Sequence, residues 1–170
     1  MARATLLLAI VFAACSDPPR RQPQIPLAAA RASSDSAFAG VQTRGHTAMG
    51  VDQYTSFHRF ESLPDGGRIR LQRDPSDSPG VARIRAHMRT IARAFALGDF
   101  ALPGFVHDRE VPGTAVMAAR RSGIRYTADT LPGGGQVRLE SSDPVAIAAI
   151  HEFLAFQRLD HRSAGHGSAH

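Results

Sequence analysis

The sequence predicts an α+β fold, a two-layer sandwich in ββα-ββα order whose antiparallel sheet carries two long helices on one face. Two observations come first. "LPDGGRIRL" at 63–71 and "LPGGGQVRL" at 131–139 are near copies, each between runs of partial apolar alternation. Glycines at such a turn tolerate positive φ, so each copy reads as a β-hairpin. Each hairpin is then followed by an amphipathic helical pattern, which makes the unit repeat. The third observation is length. The patterned stretch 51–162 has about 110 residues, enough for one core that buries roughly 60 to 70 per cent of the unfolded chain's surface.

Taken in order, the chain opens with "MARATLLLAIVFAACSDPP", an early arginine and an apolar run ending in small residues just before the only cysteine. Residues 1–14 read as an export signal, and the run is too short to span a bilayer as a mature helix. "FAAC" resembles the bacterial lipoprotein cleavage site, with Phe12 a less usual first residue, and the resemblance implies a lipid on Cys15 and membrane attachment. An ordinary secretory cut near Cys15 stays open as the alternative. In a cell with two membranes, Ser16 fits sorting to the outer membrane, with the domain facing the periplasm. Residues 15–50, rich in Pro, Ala, Ser and Arg without a sustained period, read as a flexible tether.

The first unit holds a hairpin around Pro64-Asp65-Gly66-Gly67. A helix then enters through Ser78-Pro79, with Val81, Ile84, Met88, Ile91 and Phe95 on one face, and stops at Gly98. A bridge follows, with an extended piece expected over 105–111 and a short helix over 114–121. The second unit holds a hairpin through "LPGGGQVRL" and a helix with Asp143 as N-cap and Pro144 in its first turn. Laying "VARIRAHM" over "VAIAAIHE" sets His87 opposite His151, at the expense of a four-residue shift between hairpin and helix registers. Residues 163–170 read as a disordered tail, and the mobile C-terminal "HRSAGHGSAH" carries His161, His166 and His170, free to pick up metal loosely and without purpose.

The bridge and second unit, with the upstream "IRAHMRTIARAFALGDFALPGFVHD", resemble a widespread family of uncharacterised bacterial proteins over nearly all of 51–162. Members are sometimes labelled aspartate carbamoyltransferase. That enzyme's Ser-Thr-Arg-Thr phosphate pattern is absent here, and its two-domain parallel-sheet subunit needs a longer chain. The resemblance therefore implies a shared fold and no activity.

The net charge of +5 comes with no lysine at all, so arginine supplies every basic side chain counted. These arginines are dispersed among carboxylates without interleaved aromatics, which argues against nucleic acid as a partner. One cysteine allows no intramolecular disulfide, and export costs the fold nothing on that account.

Histidine is the residue type that invites chemistry. His151-Glu152 resembles the start of a zinc-protease helix, yet Ala155 stands where the second histidine belongs. His161 lies ten residues on, about 15 Å along a helix, too far to share one ion with His151 as a local pair, and is expected to interact with the helix dipole. His87 and His151 fall on apolar helix faces, where a hydrogen-bonded core histidine is the commoner outcome. If the two helices pack across a pseudo-twofold axis, His87 and His151 approach one another, with His58 and His107 as further ligands and Met88 and Met117 as thioether donors. Such a set suits copper or zinc, or the axial positions of a haem. Covalent haem is excluded for lack of Cys-x-x-Cys-His.

Catalytic patterns are thin. Asp108 and Glu110 share one side of the expected extended piece, His107-Asp108 and Asp160-His161 are sequence neighbours that point apart on a strand, and no serine sits in a Gly-x-Ser-x-Gly elbow. The glycine-rich segments lie between strands and lack the Lys-Ser/Thr ending of a phosphate loop. Three functions stay open. The first is a lipid-anchored, non-catalytic binding or accessory module with an envelope protein partner. The second is a periplasmic metal-handling protein using His58, His87, His107 and His151. The third is a small hydrolase or isomerase with a histidine base.

Overall fold

The computed structural model describes residues 27–52 and 54–163, with side chains from residue 31 onward. The signal at 1–14, Cys15, Ser16, and His166 and His170 of the tail lie outside the described residues. The elements run α1 (Leu27–Met49), β1 (Ser56–Leu63), β2 (Gly66–Arg73), α2 (Ser78–Ala96), α3 (Ala101–His107), α4 (Thr114–Ala119), a 3-10 turn, β3 (Ile124–Leu131), β4 (Gly134–Ser141) and α5 (Pro144–Asp160). One antiparallel sheet in the order β1-β2-β4-β3 forms the first layer, and α2 and α5 form the second. This is the expected α+β two-layer arrangement, with three further helices.

Alternation decides which face is covered. Phe60, Ile69, Leu71, Val137 and Leu139 point to the helices and are buried, while Phe57, Arg59 and Arg125 face outward. On the helices, Ile84, Met88, Ile91 and Phe95 of α2 and Ala146, Ile150, Phe153 and Leu154 of α5 complete the core. Each helix starts at an aspartate whose carboxylate accepts a backbone N–H, Asp77 from Gly80 and Asp143 from Val145.

The two units are related by a pseudo-twofold axis through the middle of the sheet. Ile69 pairs across strands with Val137, its own counterpart in the repeated segment, and Arg68 pairs with Arg138. The helices cross over: α2 packs chiefly on β3 and β4, and α5 on β1 and β2. Backbone bonds obey the same symmetry, since Arg73 N–H donates to Gly133 O and Ser141 N–H to Asp65 O, both at 2.9 Å.

Three expectations need correction. Residues 27–49, read within a tether, form α1, whose Val41 is buried and whose Arg44 Nε donates to Val106 O at 2.8 Å. Alanine favours helix without any apolar stripe. The extended piece expected over 105–111 is helical up to His107, because Asp108 closes α3 in the left-handed conformation at φ 54°. The helix register differs too. Four residues separate Arg73 from Asp77 and two separate Ser141 from Asp143, so helical equivalence is offset by 66 against 68 in the hairpins. Ile84 then matches Ile150 and Met88 matches Leu154, and His87 corresponds to Phe153 rather than to His151.

Candidate functional site

A cavity of about 80 Å³ lies between the helix-facing side of the sheet and helices α1, α2, α3 and α5. Its apolar wall is built from Phe60, Ile69, Leu71, Ile91, Phe95 and Phe153. The polar tips that reach it are His58 from β1, His87 from α2, His107 from α3, and Gln157 and His161 from the end of α5. The thioethers of Met49 and Met88 also line it.

Each histidine arrives for a local reason. His58 takes an inward position of β1, one alternation before Phe60. His87 precedes the buried Met88 on α2. His107 ends α3 just before the left-handed Asp108, which swings the chain away and leaves the ring 1% exposed. His161 is the C-cap of α5 and folds back over the sheet end. Its ring stacks on His58, centroids 4.9 Å apart and planes 19° apart, and meets His107 edge-on at 5.1 Å.

Burial keeps the rings of His58, His87 and His161 neutral. It pushes His58 down to about 4, with nearby His87 adding to the effect, and it lowers His87 to about 4 on its own. His161 falls well below its ordinary value through burial first, then through His58 and His107. Its Nδ1 is buried and without a hydrogen-bond partner. His107 is the anchored member: Nδ1–H donates to Asp160, Nε2 lies 3.0 Å from Gln157 Oε1, and Arg109 holds the other carboxylate oxygen of Asp160 at 2.6 Å. The Asp160 carboxylate behind Nδ1 orients the ring, and a ligand at Nε2 would have to displace Gln157 Oε1, which faces that nitrogen.

Among the described residues, no three or more His, Cys, Asp or Glu side chains already surround one point as ligands for an ion. The stacked rings of His58 and His161 face one another with their planes instead. No Ser, Thr or Cys lines the cavity either, so it offers no hydroxyl or thiol nucleophile.

Of the expected ligands, His58, His87 and His107 meet here and His151 does not. His151 Nε2–H donates to Leu63 O at 2.9 Å across the other end of the sheet. Under the pseudo-twofold its counterpart is Arg85, whose guanidinium donates to Leu131 O at 2.7 Å, so both serve to clasp a hairpin end. His151→Ala is expected to cost about 1 to 2 kcal/mol in a urea titration and to leave the cavity's chemistry intact. Met117 is fully buried away from the cavity, and Met49 is the second thioether in its place. Asp108 and Glu110 are both exposed, and the carboxylate that engages His107 is the distant Asp160. His161, expected near the helix end beside the dipole and in a loosely metal-binding segment, is instead the buried residue that joins His58 to His107.

Comparison with known protein families, curated proteins and solved structures gives no match. Among the described residues, no helix is long and apolar enough to cross a membrane.

Proposed function

We propose that this chain is a lipid-anchored, exported, non-catalytic binding module that takes a copper or zinc ion into the histidine-lined cavity. One observation carries the reading. Six histidines lie among the described residues (46, 58, 87, 107, 151 and 161), and four of them, from four different elements, line one small cavity. A core that needed only apolar filling has no use for so many imidazoles, each of which carries a desolvation cost.

Several features support a metal ion as the ligand. The rings of His58, His87 and His161 are neutral, which is the protonation state a metal requires. His107 has its carboxylate backing in Asp160, and His161 Nδ1 has no partner to lose. To share one ion, the rings would have to turn about their soft terminal torsions from the stacked and edge-on arrangement they adopt. The thioethers of Met49 and Met88 favour Cu(I) over harder ions. Anchorage rests on the "FAAC" segment and Cys15, and a lipid there would hold the domain at the membrane, facing an envelope partner.

The test is the melting temperature of metal-free protein titrated with Zn²⁺ and, under reducing conditions, with Cu⁺. An ion that binds only the folded state at a hundredfold excess over Kd adds about 2.7 kcal/mol. His161→Phe, which keeps an aromatic ring against His58, is expected to abolish that gain while the metal-free protein stays folded. A melting temperature indifferent to both ions in the wild-type protein would sink the metal reading.

A further inference from the structure

A second feature lies on the opposite side of the His58–His161 pair: an open groove of about 850 Å³ that those two residues share with the inner cavity. Among the described residues, four arginines line it, Arg59, Arg70, Arg73 and Arg162, and no aspartate or glutamate does. We propose that this groove binds an oxyanion ligand, a carboxylate or phosphate, bridging Arg59 and Arg70, with a planar or apolar body against Tyr54 and Phe57.

The register of the sheet supplies the main argument. Arg59 and Arg70 sit directly opposite one another on β1 and β2. Like charges in that position repel. The chain contains its own control, since Arg68 and Arg138 are also directly opposite, on β2 and β4. There the repulsion is neutralised: Arg68 pairs with Glu61 at 2.6 Å, and Arg138 pairs with Asp65 and reaches Glu140. Between Arg59 and Arg70 the one carboxylate paired among the described residues is Glu61, 3.5 Å from Arg70 and already engaged by Arg68. The other two arginines are committed, Arg73 to Asp77 and Arg162 to Asp35. Across the groove-facing pair there is thus a single shared carboxylate: Arg70 shares Glu61 with Arg68, and no ion pair with Arg59 is found among the described residues.

Two further observations point the same way. Gln42 Oε1, Arg70 Nε, Arg73 Nε and His161 Nδ1 are buried polar atoms without hydrogen-bond partners, and all four residues line this groove. Unsatisfied polar groups gathered in one place mark a site that a ligand or its waters complete. Tyr54 and Phe57, 72% and 65% exposed, offer apolar faces beside the charges. An aromatic floor with a cationic end suits a ligand that is anionic at one end only.

The experiment is calorimetric titration of metal-free protein with citrate and, separately, with inorganic phosphate, each at matched ionic strength in chloride. Saturable one-to-one binding of at least one anion is expected. Citrate binding more tightly assigns the groove to carboxylates, and phosphate binding more tightly assigns it to phosphate esters. Arg59→Gln, an exposed position, is expected to weaken binding about tenfold or more and to raise the melting temperature of the anion-free protein by removing the repulsion. Arg125→Gln, at the far edge of the sheet, is expected to change nothing. Neither anion binding above the chloride background, or Arg59→Gln binding as tightly as wild type, would overturn the proposal. Zinc uptake by Arg59→Gln at the wild-type level keeps this outcome separate from the fate of the metal reading.

Discussion

Gly134→Ala is expected to destabilise the domain by about 3 kcal/mol, read as a fall in the urea midpoint, and Gly66→Ala by a similar amount. A methyl group at 134 would stand 2.1 Å from Leu71 O, and one at 66 would stand 2.3 Å from Leu139 O. Both obstacles are backbone carbonyls in the two central strands, so no side chain can swing aside. Relief requires β2 and β4 to part, and their pairing carries the pseudo-twofold axis on which both units depend. Gly66 adds a conformational cost of its own, because its φ of 136° lies where side chains are rarely tolerated. Gly123→Ala is the control: nothing lies within 4 Å of its added methyl, and stability is expected to hold within about 0.5 kcal/mol. Equal stability of all three variants would mean that the central pairing yields more easily than close-packed strands do.

The same glycines explain what was legible in the sequence. "LPDGGRIRL" and "LPGGGQVRL" revealed the hairpins, yet the turns themselves are Pro64-Asp65 and Pro132-Gly133. Gly66 and Gly134 are retained for close approach between strands rather than for turning. Helices α2 and α5 were readable from apolar spacing and from Asp-Pro starts, because a buried face imposes a 3.6-residue period. Helix α1 has no such stripe: it is alanine- and serine-rich and buries little beyond Val41 and Gln42. In α3, Phe105 and Val106 imitate a strand over too few residues for period to decide. The helix register misled because alanine-rich helices align at several offsets, and only the burial of Ile84 with Ile150 and of Met88 with Leu154 selects one.

The cavity was half legible for a related reason. His58, His87 and His107 were candidates by residue type alone. His161 was not, since its contacts with His58 and His107 come from the chain end folding back across the sheet, and no local spacing encodes that return. The partner of His107 was missed in the same way, since Asp160 lies 53 residues away while Asp108 is adjacent.

Lowering the pH from 7 to 4 is expected to cost the metal-free domain about 3 kcal/mol or more of unfolding free energy. Unfolded, His58 and His87 titrate near 6.5; folded, burial holds both at about 4. Between those values the unfolded chain binds more protons, so stability is complete above 6.5 and drains away as pH falls towards 4. A shift of that size is worth about 3 kcal/mol for one ring. The two rings repel when charged, so their contributions do not simply add, and His161 acts in the same direction through its contacts with His58 and His107. Urea titrations at pH 7, 5.5 and 4 measure the slope. His58→Phe keeps a ring beside Phe60 and His161 and is expected to reduce the slope between 6.5 and 4, leaving the part that His87 and His161 contribute through their own burial. Exposed Asp65 and Asp74, whose carboxyls are lowered by Arg138 and by Ser76 respectively, add their losses only at lower pH. A wild-type slope no steeper than that of His58→Phe would mean that the His58 ring takes up its proton freely in the folded state. With zinc bound the acid loss is expected to steepen, because each proton gained by a ligand ring must then displace the ion as well as enter the cavity.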